Sequence, residues 1–361
     1  MSVANGYVNG DLRRHSAGKG TFMKIGYLTR VLSGVRFKKM QSAINEVYDK
    51  SGKNKIATFF DMIGCGIKYG AGYNDYIIFE FYNMNAKQRK TYLTRLKNKR
   101  MISELNNEKY SYIFDEKNVF DKKFAEFTGR EIHDLADIDF DGFKKFIEGK
   151  EYIFAKPYIG ESGKGIEKIH IADFASAEEL YKYVTNPEKN FGVIEEVIIQ
   201  HPQAAKIYPY SLNCLRIVTL VNNGTPYILY AVFKMGNNGK FVDNLENGGL
   251  ACHFDLDKGE ITGCGHTSAL VNYDAHPATG IKFEGYKLPY MKEVKELVKK
   301  AALVIPEHRY VGWDVCLTPN GPAIVEGNDF PAYDFPQLPD EGKERIGLIP
   351  KIESCGFKVR K

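Results

Sequence analysis

Val311-Gly-Trp-Asp-Val-Cys-Leu-Thr-Pro-Asn-Gly-Pro-Ala-Ile-Val-Glu-Gly-Asn328 reads as two strands around a turn. Pro319-Asn320-Gly321 suits a three-residue hairpin loop, with Pro at the first turn position and Gly at the left-handed one. That loop sets Thr318 opposite Pro322 and, counting back, Asp314 opposite Glu326. Strand side chains alternate, so Asn328 points to the same side as Glu326. Opposed like charges are unfavourable in a ladder unless a cation lies between them. Two carboxylates and an amide oxygen suit Mg²⁺, which takes one or two carboxylates and fills its shell with water and phosphate oxygens. The alternative is the polar outer face of an edge hairpin. Against it, Asp and Glu are poor strand residues, and here they sit among Val, Ile, Leu and Trp.

A second segment, Phe154-Ala-Lys-Pro-Tyr-Ile-Gly-Glu-Ser-Gly-Lys-Gly165, places Gly160, Ser162, Gly163 and Gly165 between two strands, 151–156 and 165–171. Glycines there let backbone amides approach phosphate oxygens, and Lys156 would supply a point charge. The loop is not a Walker A motif: Gly163-Lys164-Gly165 lacks the following Ser/Thr and runs into a strand. Taken alone it is equally an ordinary turn. A third segment, Val193-Ile-Glu-Glu-Val-Ile-Ile-Gln200, is an apolar strand carrying Glu195 and Glu196. It reads either as a hinge whose backbone and carboxylate meet a nucleoside or as a buried strand with a polar end.

Around these segments the chain is mixed. Ser176-Ala-Glu-Glu179 is a capping box that opens a helix with Leu180, Tyr183 and Val184 on its buried stripe. Residues 214–235 form a hairpin about Asn222-Asn223-Gly224. Another helix starts near Pro289, with Val294, Leu297, Val298 and Ala301 on one face. From about 35 to 110 the pattern is helical, with Phe37, Met40, Ile44 and Val47 at spacings of three and four. The basic run from Lys87 to Arg100 is either a solvated helix face or a grip for phosphates. Residues 1–20 lack pattern and read as a mobile arm. There is no internal repeat.

The 361 residues carry 50 Lys+Arg against 45 Asp+Glu, a formal net charge of +5. That balance is too weak to argue for nucleic acid. No stretch approaches the ~18 apolar residues of a membrane span, and the first twenty residues lack the apolar core of a secretory leader, so a cytoplasmic protein is expected. The six cysteines are widely spaced and read as reduced thiols. Cys252-His253 and Cys264-x-His266 have the ligand types of a zinc site but not its spacing.

Taken in order, Lys117 in Phe114-Asp-Glu-Lys117, Lys156 before the glycine-rich loop, Glu195 at the hinge and Asp314…Glu326-x-Asn328 resemble the ATP-grasp superfamily. Within it the sequence is most similar to the sugar-transfer-associated family. The similar stretches are Gln200-His-Pro202, Ser211-Leu-Asn-Cys-Leu-Arg216-Ile-Val-Thr219, Val242-Asp-Asn-Leu-Glu-Asn-Gly-Gly249, His276-Pro-x-Thr-Gly280 and Val311-Gly-Trp-Asp314, across about 110–340. Asn213-Cys214-Leu215-Arg216 departs from the family's Asn-Thr-x-Arg.

The resemblance implies an α+β ATP-grasp fold, two lobes sandwiching ATP, behind a mainly helical N-terminal region at 21–110. The small lobe would span 111–200 and the large lobe 201–361. Lys117 (or Lys122/Lys123) and Lys156 would contact phosphates, and the loop holding Gly160, Ser162, Gly163 and Gly165 would close over them. Glu195, Glu196, Val197 and Ile198 would hold the adenosine, and Asp314, Glu326 and Asn328 the Mg²⁺. Arg216 would steady the transferring phosphoryl group, its alternative being a strand-surface ion pair. Lys234, Asp243, Asn244 and His266 lie where an acceptor could bind, the favoured alternative for His266 being a packed or surface histidine.

The expected activity is ligation of a small-molecule carboxylate to an amine through an acyl phosphate, in polysaccharide or sugar-conjugate biosynthesis. A kinase acting on a hydroxyl and a non-catalytic nucleotide-binding partner are the alternatives.

Overall fold

The computed structural model describes residues 37–160, 164–240, 243–339 and 344–360. The arm expected at 1–20 and the loop residues Ser162 and Gly163 lie outside them.

Two antiparallel sheets organise the chain. The smaller holds β1 (Ile132–Asp134), β2 (Tyr152–Lys156), β3 (Glu167–His170) and β4 (Val193–Glu196), in the order β1-β4-β2-β3. Alternation sends Ile153, Ala155 and Ile194 to one face, where they pack with Phe143, Phe146, Leu180 and Val184 of helices Phe140–Ile147 and Ala177–Val184. The second helix starts as its sequence demands: Ser176 Oγ accepts from the Glu179 amide at 3.3 Å. Phe154↔Glu195 and Lys156↔Val193 are paired rows on the other face, so Lys156 and Glu195 emerge together.

The larger sheet holds β5 (Cys214–Asn222), β6 (Thr225–Met235), β7 (Leu250–Asp255), β8 (Glu260–His266), β9 (Asn272–Tyr273), β10 (Tyr310–Thr318) and β11 (Gly321–Asn328), in the order β11-β10-β5-β6-β7-β8-β9. One face, with Leu215, Ile217, Trp313 and Val315, is sealed by Val294, Val298 and Ala301 of helix Met291–Ala301 and by Phe120 and Phe124. Each such buried side chain contributes about 1.5–3 kcal/mol. Half of the opposite face is covered by helices Arg95–Leu105 and Ile349–Ser354, which bury Val218, Leu220 and Tyr310. The other half carries Asp314, Arg216 and Lys234.

The hairpin meets the expected pairing by an unexpected route. Thr318 pairs with Gly321, not Pro322, so the turn is the two residues Pro319-Asn320. Thr318 closes it, its hydroxyl accepting from the Asn320 amide at 3.1 Å and donating to the Gly321 carbonyl at 2.9 Å. With that shorter turn, plain alternation would aim Glu326 into the core. A bulge corrects it: Val315 pairs with Ile324 but Asp314 with Glu326, leaving Val325 as the extra residue. One inserted residue thus turns Glu326 onto the side of Asp314.

Helix Met291–Ala301 also starts later than Pro289 suggests. Tyr290 precedes it in the left-handed region at φ 69°, its hydroxyl donating to Pro319 O at 3.0 Å, and the helix begins only after that reversal. In the N-terminal helical region, most of the basic run is exposed, as a solvated face requires, with Arg89 and Lys97 as the exceptions. Arg89 grips Asp61 with two bonds of 2.7 Å, and buried Lys97 donates to Tyr92 O at 3.2 Å. Among the described residues no helix is long and apolar enough to cross a membrane.

Candidate functional site

Four charged side chains meet on the open half of the large sheet. Asp314 and Arg216 are direct partners across β10 and β5, and Asp314 also pairs with Glu326 across the hairpin. Arg216 donates through Nε to Asp314 Oδ1 and through Nη2 to Oδ2 at 2.8 Å, and Lys234 Nζ reaches the same Oδ2 at 2.8 Å. Lys234 lies 3.4 Å from Asp243 as well, and Arg216 3.7 Å from Glu326. Burial alone would raise the Asp314 carboxyl, but Arg216 and then Lys234 outweigh it and hold the group well below the usual carboxylate range. Glu326 moves the other way, pushed up by loss of hydration and then by the Asp314 carboxylate. Its side chain is 57% exposed, so water screens much of that repulsion.

Gly327 explains why Glu326 and Asn328 flank a glycine. A Cβ there would lie 2.8 Å from Phe120 and 2.9 Å from Phe114, so only glycine lets β11 pack against those rings. Asn328 continues the row, and its Oδ1 accepts from the Phe330 amide at 2.8 Å. Asn244 stands beside Asp243, ahead of the short turn Leu245–Asn247. His266 is not part of this cluster. It sits two strands from Lys234 along the row Lys234↔Ala251↔His266, bonded through Nδ1 to Asn272 Oδ1 at 2.8 Å.

The small lobe supplies the facing charges. Lys117 starts helix Lys117–Lys123; its amide donates to Tyr158 O at 2.9 Å and its Nζ to Gly160 O at 2.9 Å. The helix is therefore tied to the glycine turn, which Gly165 completes at φ 74°. Partial burial pushes the Lys117 ammonium down, and Lys156 adds to that, against an opposing pull from Glu326. Lys117 and Glu326 thus feel each other across the space between the lobes. Lys122, the rival phosphate lysine, is paired with Asp137 at 2.7 Å.

Glu195 is 4% exposed, and its carboxylate is fully engaged by Lys156 Nζ and by Arg130 Nε, the latter at 3.0 Å. Both its oxygens are paired and it is buried, so in this structure the hinge carboxylate serves Lys156 and Arg130. Arg130 is the residue the sequence did not reveal. Only 3% of its side chain is exposed, and besides Glu195 it donates to the carbonyls of Ile324 at 3.1 Å and Val325 at 3.3 Å. One guanidinium therefore fastens the small sheet to the bulge that orients Glu326. Glu196 faces away, accepting from the Glu131 amide at 3.3 Å, and Ile198 packs on the cluster of Cys214, Cys316 and Ala323. Asp121, one turn beyond Lys117, was also not singled out; burial pushes its carboxyl up to about 6 despite Arg130.

Burial would raise the Glu195 carboxyl, but Arg130 and then Lys156 hold it below its ordinary value. A depressed carboxylate stabilises the fold above its unfolded value of about 4.3, and that contribution is lost as pH falls through the folded value. The urea-unfolding gap between the native chain and Glu195→Gln is accordingly expected to be full at pH 7 and to narrow below about pH 4. A gap independent of pH would contradict this pairing.

Several of the most recognisable residues are scaffold. Gln200 donates to Ser211 O at 2.7 Å, Asn213 to Ala204 O at 3.0 Å and Tyr208 O at 2.8 Å, and His276 Nε2 meets Gly236 O at 2.9 Å. Cys214 is buried in an apolar cluster. Among the described residues no group of three or more His, Cys, Asp or Glu is arranged to hold a metal. Asp314, Glu326 and the Asn328 amide are a smaller, all-oxygen set, the type that suits Mg²⁺ shared with phosphates.

The model of the sugar-transfer associated ATP-grasp family matches residues 95–351, which take in both sheets, the glycine turn and the hairpin. No curated protein matches the chain. Among solved structures, the chain is similar to the ATP-grasp ligase PsnB complexed with minimal precursor, at 12% identity over 63% of this chain and 57% of that one, with a TM-score of 0.38. It is similar to D-alanyl-alanine synthetase A from Vibrio cholerae, at 16% identity over 68% and 61%, TM-score 0.37. A third is the D-alanine-D-alanine ligase from Coxiella burnetii, at 11% identity over 70% and 56%, TM-score 0.38. The chain spans less than two thirds of the length of each.

Proposed function

The chain belongs to the sugar-transfer associated ATP-grasp family, and from that premise we propose that it is a Mg-ATP-dependent carboxylate–amine ligase. The observation that carries this reading is the approach of Lys117, on a helix tied to the glycine turn that follows Lys156, to Glu326, which pairs with Asp314 on the large sheet. Lysines suit the phosphates, and the hairpin oxygens suit the cation that accompanies them. Bound there, Mg²⁺ would neutralise charge on the β- and γ-phosphates.

The chain's own residues divide the remaining work. Lys117 and Lys156 hold the phosphates, and the backbone amides of the loop that Gly160 and Gly165 bound serve the same oxygens. Adenosine lies along the 195–198 segment and is met by the backbone of Val197 and Ile198, since Glu195 is spent on Lys156 and Arg130. Arg216 steadies the phosphoryl group as it passes from ATP to the substrate carboxylate, giving ADP and an acyl phosphate. The amine then attacks the acyl carbon, phosphate leaves, and an amide forms as the nitrogen gives up its proton. Lys234, Asp243 and Asn244 are the residues proposed to meet these substrates. A sugar conjugate is the proposed carrier of one reacting group, with the product destined for a cell-surface polysaccharide.

Incubation with Mg-ATP and panels of amino acids, amino sugars and uronic acids tests the assignment. ADP and phosphate release requiring both an acid and an amine is expected. ADP with a phosphorylated hydroxyl would replace the ligase by a kinase, and absence of turnover would favour a non-catalytic binding partner. Lys156→Ala is expected to weaken binding of a non-hydrolysable ATP analogue roughly 10–100-fold in calorimetric titration, about 1.4–2.8 kcal/mol. Unchanged affinity would remove Lys156 from the phosphate site.

A further inference from the structure

Cys264 differs from the other five cysteines. Those five are buried, whereas Cys264 is partly exposed. Burial pushes the Cys65 thiol up to about 12 and Cys316 up to about 11, and raises Cys214 and Cys355 as well. A thiol in such surroundings is inert.

The neighbours of Cys264 are of another kind. It lies in an irregular stretch of β8: Cys252 pairs with Gly265 but His253 with Thr262, so Gly263 and Cys264 form a bulge, with Gly263 at φ 89°. Bulges re-aim side chains. This one sets Cys264 Sγ 3.5 Å from His266 Nε2. The other ring nitrogen, Nδ1, is 2.8 Å from Asn272 Oδ1 on β9. An amide oxygen only accepts, so Nδ1 carries the proton and Nε2 faces the thiol as acceptor. The His266 ring is 2% exposed and is held by Phe335 at 5.6 Å and His253 at 6.1 Å between centroids. A thiol, an imidazole facing it and an amide orienting the imidazole make the three-part arrangement that activates cysteine nucleophiles, recognised by geometry rather than by sequence order.

We propose that Cys264 is a reactive thiol, deprotonated by His266 with Asn272 orienting the ring, that is modified by hydroperoxides. The Sγ proton passes to His266 Nε2, and the thiolate attacks one peroxide oxygen. The O–O bond breaks, sulfur gives up two electrons and becomes a sulfenic acid, and the departing oxygen takes the imidazolium proton to leave as water or an alcohol. Among the described groups, His253 on β7 faces the ring and is titratable, Phe335 and Asn272 are neutral, and the Glu284 carboxylate accepts from the Gly263 amide beside Cys264. The modified sulfur would stand on β8, toward the end of the large sheet remote from Glu326. The proposal does not depend on the ligase reading.

Site-resolved iodoacetamide labelling of the full chain, followed by mass spectrometry from about pH 5.5 to 9, provides the test. A free thiol, with an ordinary value near 8.5, is nearly silent at about pH 6.5. Cys264 is expected to label there roughly tenfold faster than glutathione under the same conditions, and hydrogen peroxide is expected to give a dimedone-trapped sulfenic acid at Cys264. His266→Gln should bring the pH profile back to that of a free thiol, and Asn272→Ala should move it part of the way. A native chain whose Cys264 follows the glutathione profile, or forms no dimedone adduct, would overturn the proposal. So would a folded His266→Gln variant with an unchanged profile. Should His266→Gln fail to fold, the profile and adduct of the native chain decide alone.

Discussion

Glu326→Ala is expected to lower Mg-ATP turnover by at least roughly a thousandfold while changing unfolding free energy by no more than about 0.5 kcal/mol. The two halves of that expectation have separate physical origins. The side chain is 57% exposed, and its closest ion-pair approach is 3.7 Å to Arg216, so little of the fold depends on it. In the proposed site its carboxylate, paired across the hairpin with Asp314, would give a divalent cation its second hard oxygen. Asp314 itself is a poorer probe. Its removal would strand Arg216 and Lys234, which both bond to it, and confuse lost chemistry with lost stability. Turnover and urea unfolding measured on the same Glu326→Ala preparation separate the effects; near-native turnover by the folded variant would defeat the metal assignment.

The second large effect is expected at Arg130. Replacing it with Ala removes the bond to Glu195 and the bonds to Ile324 O and Val325 O together. Truncating one partner of a buried, hydrogen-bonded pair costs about 3–5 kcal/mol, because the remaining charge stays out of water. Here that charge is Glu195, left with Lys156 alone. Urea unfolding of Arg130→Ala is expected to show a loss of that size, with nucleotide affinity falling as Lys156 and the β11 bulge lose their common anchor. A loss below about 1 kcal/mol would mean that the guanidinium does not tie the sheets together.

Much of the site could be read locally. Alternation along a strand places Asp314, Glu326 and Asn328 on one side, and a capping box or an Asn-Gly turn marks element ends within four residues. The glycine spacing around Lys156 likewise depends only on near neighbours. What could not be read locally were tertiary choices. Thr318 tightened the hairpin by one residue and the bulge at Val325 restored the lost register, two departures that cancel and leave the pairing of Asp314 with Glu326 in place. Arg130 stands in no motif, and the carboxylate that explains it is 65 residues away. The assignment of Glu195 to Lys156 rather than to a ribose follows from the pairing of β2 with β4, which periodicity does not specify. Cys264 and His266 looked like stray metal ligands until Asn272, from another strand, fixed the tautomer of the ring.

The central claim is that the hairpin oxygens and the lysines across the groove hold one metal–nucleotide complex. Crystals grown with Mn²⁺ and a non-hydrolysable ATP analogue, measured at the manganese edge, test it directly. The account predicts an anomalous peak roughly 2.0–2.3 Å from carboxylate oxygens of Asp314 and Glu326, in contact with the phosphates, and with Lys117 and Lys156 on the same triphosphate. Manganese bound elsewhere, or a triphosphate lying away from both lysines, would contradict it.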